Sequence, residues 1–386
     1  MEERIAMFRE YDTGAFSVGE LARRYGISRE TFYQWKRRRA QGDPLWFHDR
    51  ASVPGSCPHQ TPAELIAAIE AMKRRFPLFG PRKIRAKLLE AGPSLAWPAA
   101  STMGDALKRA GLVNAGPRRR SRIAQGEVVA GGTVANEEWS IDFKGWFRTR
   151  DGSRVDPLTV VDTASRYLLT VKIVPPTYDG VRGELERLFG ATGLPGAVRS
   201  DNGGPFGSPG AGGLSRLSAW LLRLSIDVRF IPPGSPQDNG RHERMHRELK
   251  AATARDPAAT AAAQQSRFDA FVWHYNEERP HEALNQTPPA RHWSAPTLRL
   301  PDEVPPPWYD ADHEVCQIHQ HGDIEWRRRQ IFISEALAGE RIGLRELESG
   351  GHLVRFCHRD LGVVGPDLRF LRFAPPRARL RSAKET

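Results

Sequence analysis

Apolar residues recur at helical spacing over residues 3–41 and 62–112, change to strand-like runs from Glu138, and return to helical spacing after the proline break at residues 232–236. Residues 3–13 bring Ile5, Phe8 and Met7 or Tyr11 to one helical face. In SVGELARRYGISRETFYQWKRRR, Val18, Leu21, Ala22 and Tyr25 line a second helix, Gly26 supplies a tight turn and Ser28 stands as N-cap of a third. This order predicts a helix-turn-helix over residues 1–41. Its last helix turns Phe32 and Trp35 to the core and leaves Arg29, Glu30, Tyr33, Gln34, Lys36 and Arg37 free to meet a DNA major groove. A plain helical hairpin with a charged face is the competing reading.

Residues 42–61, rich in Pro, Gly, His and Ser, read as a linker. Three further helices, Pro62 to Phe76, Pro81 to Leu89 and Pro98 to Leu112, predict a second helical DNA-binding module over residues 62–115. Its middle helix carries Arg82, Lys83, Arg85 and Lys87. Residues 116–134, with Arg118, Arg119, Arg120 and Arg122, read as a basic connector.

From Glu138, EEWSIDFKGWF predicts one strand and PLTVVDTASRYLLTVKIV two more. A helix near Asp179 to Ala191, a short strand AVRSDN, a glycine-rich loop, the helix LSRLSAWLLRLSI and the strand VRFIP complete a mixed α/β pattern. In IPPGSPQDNGRHERMHRELK the prolines forbid helix until after Pro236, so Asp238 or Asn239 caps a basic helix. At about 100° per residue, Glu243, His246, Arg247 and Lys250 share one face of it, and Glu248 points away toward solvent. A long helical stretch then reaches about Glu277, interrupted near Asp256 and Pro257, with Phe268, Phe271, Val272 and Tyr275 as core. Asn276, Arg279, Pro280 and His281 end it. Residues 294–312 form a Pro-rich linker, and short alternating runs over residues 313–374 predict four or five strands in a small β-barrel. Arg327, Arg328 and Arg329 fall on one of those strands; the tail at 375–386 is basic.

Composition narrows the partners. The 57 Lys+Arg against 46 Asp+Glu give a net charge of +11, which favours a polyanion such as nucleic acid. Cys57, Cys316 and Cys357 lie far apart and make no ligand or disulfide pattern. No apolar run approaches the roughly 18 residues of a membrane span, and the N-terminus lacks an apolar signal core, so the expectation is a cytoplasmic protein.

The candidate chemistry lies in three acids. Asp142 sits in a strand between Ile141 and Phe143, Asp201 at the end of a strand, and Glu243 near the start of the basic helix. Phosphodiester chemistry with two metals needs carboxylates converging from separate elements, and these three supply such a set. Asp162 has the same local setting as Asp142 and competes with it, against a structural hydrogen-bonding role. Asp238 and Asn239 read as caps. Arg241, His242, His246, Arg247 and Lys250 could grip DNA phosphates or be ordinary surface charge, and Gly240 lets backbone or DNA approach closely.

WSIDFKG, LTVVDTASRY, RSDNGGPF, PPGSPQDNGRHERMHRELK and YNEERPHEALNQTPP, in that order, resemble the catalytic core of bacterial insertion-sequence transposases of the DDE type, akin to retroviral integrases. The resemblance implies a multidomain α/β chain: N-terminal all-α helix-turn-helix modules, a ribonuclease-H-like mixed α/β core over residues 135–293 and a C-terminal small SH3-like β-barrel. It implies that Asp142, Asp201 and Glu243 are the triad that holds two Mg²⁺ (or Mn²⁺). The implied activity is hydrolysis at transposon ends and strand transfer into target DNA by a dimer or higher oligomer, in a nucleoid-associated bacterial protein. The 42 residues from Asp201 to Glu243 exceed the family's usual spacing by several, and the glycine-rich loop GGPFGSPGAGGLS accounts for the excess. The alternatives are a catalytically inactive DNA-binding regulator derived from such an enzyme and a nuclease that cuts without joining.

Overall fold

The structure, a computed structural model, describes residues 2–49, 60–113, 131–231 and 240–373. The expected caps Asp238 and Asn239, the basic run from Arg118 to Arg122, Cys57 and the basic tail lie outside the described residues. The chain divides into two compact units, Met1–Pro62 and Ala63–Thr386.

In the first unit, α1 (Glu2–Asp12), α2 (Val18–Arg24) and α3 (Arg29–Ala40) close on Met7, Phe8, Leu21 and Phe32. Ser17 and Glu20 form a reciprocal capping box on α2, and Ser28 caps α3 by accepting from the Thr31 N–H. Gly26 turns between them at φ +64°, a conformation in which a Cβ is strained. Phe32 is buried as expected, whereas Trp35 is half-buried, with the Arg4 guanidinium stacked 3.7 Å over its ring.

The second unit opens with α4 (Ala63–Arg75), α5 (Pro81–Ala91) and α6 (Ala100–Arg109), packed around Ile69, Ile84, Leu88, Met103 and Leu107. Next come β1 (Trp139–Phe143), the small hairpin β2 (Phe147–Arg148) and β3 (Arg154–Val155), β4 (Pro157–Asp162), β5 (Leu168–Ile173), α7 (Tyr178–Thr192), β6 (Ala197–Ser200), α8 (Arg216–Arg223) and β7 (Asp227–Phe230). The main sheet runs β5-β4-β1-β6-β7, antiparallel as far as β1 and parallel beyond it. Every residue of β4 is buried, as a strand covered on both faces requires. Leu158 and Val160 face the cluster shared with α7 and α8. Val161 faces Met245 and Leu249 of α9 (Gly240–Leu249) and Phe268 of α10 (Ala261–Trp273). The helical stretch after Gly240 breaks where proline and Asp256 predict, with wide helical turns at Lys250–Ala254 and His274–Glu278. Thr260 caps α10 by accepting from the Ala263 N–H.

Among the described residues seven strands follow: β8 (His313–Gln317), β9 (Asp323–Trp326), β10 (Arg329–Phe332), β11 (Arg341–Glu346), β12 (His352–Phe356), β13 (Arg359–Val364) and β14 (Phe370–Arg372). The expected small barrel is, among the described residues, an open antiparallel sheet ordered β14-β13-β12-β11-β8 beside the separate hairpin β9-β10. Arg327 and Arg328 are not strand residues. They form the two-residue hairpin turn at φ +50° and +59°, the left-handed pair that the twist of the flanking strands demands, and only Arg329 enters β10.

The Pro-rich segment before this sheet is pinned to the core. Leu194 N–H donates to Leu298 O at 2.8 Å, and Arg223 donates to Val304 O at 2.8 Å. One apolar cluster continues from Trp139 and Leu185 through Leu214 and Trp220 to Ile324, Val354 and Leu361. The glycine-rich loop after Asp201 is where the two halves meet. Ala211 and Leu214 are buried, and Leu361 Cδ2 lies 3.1 Å from where a Cβ on Gly212 would stand.

Candidate catalytic site

Asp142 lies in β1, half-buried, with antiparallel β4 on one side and parallel β6 on the other. The register pairs Trp139 with Val198 and Ser140 with Arg199, and the same offset carries Asp142 level with Asp201, one residue past the end of β6. Neighbouring strands run about 4.8 Å apart, so both carboxylates belong to one end of the sheet, where parallel strands leave open backbone ends. Asp201 is exposed, and its Oδ1 accepts from the Gly203 N–H at 3.1 Å, fixing the first turn of the glycine-rich loop. Glu243 is exposed in the first turn of α9.

What holds α9 over the sheet is a buried polar network that sequence reading misassigned. His242 and His246 were expected among the residues facing solvent and DNA; both are buried against β1 and β4. The Thr159 hydroxyl donates to Asp142 O at 2.9 Å, so its lone pairs accept Nε2–H from His242 at 2.6 Å and from His246 at 2.8 Å. The Ser140 hydroxyl donates to His242 Nδ1 at 3.0 Å, which uses both nitrogens of that ring. His246 therefore turns an Nδ1 lone pair toward Asp142 Oδ2, 4.0 Å away. Both imidazoles are neutral near pH 7. Burial, with the neighbouring His246 and Arg199, pushes His242 well below its ordinary value, and burial with Lys144 pushes His246 down to about 3.

Asp142, His242 and His246 are the groups the fold brings within one ion's reach of each other at this site, and Asp201 and Glu243 lie outside that grouping. Both nitrogens of His242 are engaged by Ser140 and Thr159, so His246 Nδ1 is the imidazole nitrogen that faces the Asp142 carboxylate. The i, i+4 spacing of His242 and His246 facing an alternating strand was the sequence signal for this network.

Other predicted residues find different surroundings. Asp162 is buried and structural: its carboxylate accepts from the Asn136 N–H at 2.6 Å and from the Ser165 N–H and hydroxyl at 2.7 and 2.6 Å. Glu138, not singled out from the sequence, is buried between Arg199 and Arg229, at 3.0 Å from each, and ties β1 to β6 and β7. Glu248, expected in solvent, bridges Arg279 and Lys83. Asn276 does more than end a helix: its amide pairs with both backbone groups of Leu168 in β5.

Of the twelve positions expected on DNA, Arg29, Glu30, Tyr33, Gln34, Lys36 and Arg37 are all exposed on α3. Arg82 pairs with Glu282, Lys83 with Glu248, and Arg85 donates to Pro98 O at 3.1 Å. Arg247 and Lys250 are exposed; the Arg241 side chain lies outside the described residues.

Comparison with known proteins finds matches for two of these parts. Residues 132–236 and residues 224–289 match two models described as Integrase core domain, and residues 3–46 match a Helix-turn-helix domain. The chain is 31% identical over 181 residues to an uncharacterized 31.7 kDa protein of insertion element IS407 from Burkholderia multivorans, covering 45% of this chain and 62% of that protein. It is 28% identical over 183 residues to an uncharacterized 39.2 kDa protein of insertion element IS476 from Xanthomonas euvesicatoria, covering 45% of this chain and 49% of that protein. The chain thus spans less than two thirds of either relative. Solved structures similar to it include the HTLV-2 integrase catalytic core domain in complex with magnesium (15% identity, TM-score 0.34, 42% of this chain and 98% of that one). Another is the simian T-cell lymphotropic virus intasome in complex with PP2A regulatory subunit B56 gamma (17% identity, TM-score 0.37, 76% of this chain and 99% of that one). Among the described residues no helix is long and apolar enough to cross a membrane.

Proposed function

We propose, from the premise that the chain joins an integrase core to a helix-turn-helix domain and resembles DDE-type insertion-sequence transposases, that it cuts and joins DNA at the ends of its own element. The observation that supports this reading is the parallel register of β1 and β6, which, continued one residue past β6, brings Asp201 level with Asp142, with Glu243 in the first turn of the helix packed beside them. Three carboxylates are hard oxygen donors, the set that Mg²⁺ or Mn²⁺ takes, and Asp142, Asp201 and Glu243 would hold two such ions. Bound there, the ions supply charge stabilisation to an in-line phosphodiester displacement.

The protein's own share is placement. The Ser140, Thr159, His242 and His246 network fixes α9, and so Glu243, relative to β1. The exposed face of α3 reads the element's end, and a dimer or larger assembly on DNA holds two ends together. The C-terminal sheet and hairpin take the place of an SH3-like domain.

The test is metal-dependent cleavage and strand transfer on duplexes carrying the element's inverted repeats. Asp142→Asn, Asp201→Asn and Glu243→Gln should each lower both activities at least a hundredfold while leaving DNA binding intact. Unchanged cleavage in any of the three removes that residue from the site, and cutting without joining would make the chain a nuclease.

A further inference from the structure

The C-terminal sheet and the helical module α4–α6 are joined to the rest of the second unit in different ways. The sheet shares one apolar cluster with the strands and helices from β1 to β7. The module keeps its own. Among the described residues its cluster is drawn from residues 68–112, and the cluster beneath α9 and α10 from residues 147–275. Between the two lies a cavity of about 400 Å³, walled by Phe76, Leu78 and Phe79 on the module side and by Thr253, Phe271 and Tyr275 on the other. Apolar groups that face each other across such a void forfeit the dispersion contacts that close packing supplies.

Charge spans this contact instead. Among the described residues four ion pairs cross it: Arg75 to Glu278 at 3.2 Å, Lys83 to Glu248 at 3.7 Å, Arg82 to Glu282, and Arg291 to Glu90. In three of the four the module supplies the cation and the α9–α10 face the carboxylate. Arg82 and Lys83 stand in the first turn of α5, the helix whose basic residues the sequence directs at DNA, and here they meet acids. The Arg82 and Glu282 side chains are 71% and 74% exposed, and that of Arg75 is 67% exposed. Pairs so wet hold weakly in water and more weakly in salt, so another anion can take the place of their carboxylates.

We propose that Arg75, Arg82 and Lys83 form a surface for the backbone phosphates of DNA that Glu278, Glu282 and Glu248 occupy in the free chain, so that DNA binds the module by displacing it from the α9–α10 face. The proposal rests on the DNA-binding part of the reading above and does not depend on the triad. The three carboxylates hold the place of phosphates, since each offers charged oxygens to a guanidinium or ammonium donor. The affinity of this surface for DNA is then reduced by the fraction of chains in which it is open, and weakening the closed contact raises it. Glu248 lies in α9, so one of the contacts that DNA breaks is made by the helix that carries Glu243.

Two measurements on the full chain, without divalent metal, test this. In fluorescence anisotropy on duplex DNA, Glu282→Gln should bind several-fold more tightly than the wild type at low KCl, and Arg82→Gln should lower the slope of log K against log salt by about 0.9, the loss of one phosphate contact. Combined with Arg82→Gln, the change Glu282→Gln should bring no gain, because the cation it unmasks is gone. An equal gain in both backgrounds marks a general effect of charge and overturns the proposal. The second measurement is cross-linking with a water-soluble carbodiimide, which joins a lysine amine to a carboxylate in contact with it. At low salt it should link Lys83 to Glu248 in the free chain, read as a joined peptide by mass spectrometry, and saturating DNA should cut the yield several-fold. No link in the free chain, or a yield that DNA leaves unchanged, overturns the proposal. A wild-type chain that binds no duplex removes the DNA-binding reading and this proposal together; binding with an unchanged cross-link removes this proposal alone.

Discussion

A threonine in the middle of a buried strand decides much of the site's chemistry. Thr159 has one proton and gives it to Asp142 O, which obliges both His242 and His246 to donate and so fixes their tautomers. The same burial logic gives a pH prediction at His281. Its proton is disfavoured in the fold, at about 2, and is bound in the unfolded chain near the ordinary value of about 6.5. The unfolded state thus binds more protons between these values, so stability is complete above about pH 6.5 and falls as pH drops through that window, by up to about 1.4 kcal/mol per pH unit for each such group. Urea midpoints should therefore fall from pH 7 to pH 5, and His281→Gln should make the decline shallower. An identical decline in the variant would remove His281 from the account.

Elements were legible where periodicity and punctuation agreed, and glycines show both what that reading can reach and where it stops. Gly190 lies in exposed helix with open space where a Cβ would stand, so Gly190→Ala should stabilise by about 0.5–1 kcal/mol, seen as a higher melting temperature. Gly212 is its opposite. At φ +63°, and with Leu361 3.1 Å from where a Cβ would stand, it lets the glycine-rich loop seat β13, and Gly212→Val should cost about 1–3 kcal/mol. From sequence this loop was surplus length beside Asp201; only the fold gives it a partner. Likewise the run Arg327 to Arg329 reads as strand, because nothing in its composition announces a turn that usually takes Asn and Gly.

At the scale of the molecule, the C-terminal sheet and the domain built on β1 to β7 share one apolar cluster, sealed by Arg359, which donates to Asp227 at 2.5 Å and to Val228 O at 2.7 Å. Burial works against ionisation of Asp227, but the nearby His358, 3.8 Å away, and the charges of Arg359 and Arg229 hold its carboxyl well below the usual range. Arg359→Leu removes one of that acid's donors and the side-chain donor of the Val228 carbonyl, and should destabilise the unit by about 1–3 kcal/mol in denaturant titration. An unchanged midpoint would mean that the apolar contacts alone hold the sheet. The sequence by itself determined the helix-turn-helix, the order of strands and helices in the core, and the placement of Asp142, Asp201 and Glu243 on three separate elements, because periodicity, caps and strand ends are local properties. Only the tertiary structure decided that His242 and His246 face inward, that Glu248 serves two cations, and that Lys83, Arg166, Arg244 and Arg279 meet around one cavity. Their burial and pairing depend on residues far along the chain, 31 positions for Glu248 with Arg279 and 83 for His242 with Thr159, which no local pattern encodes.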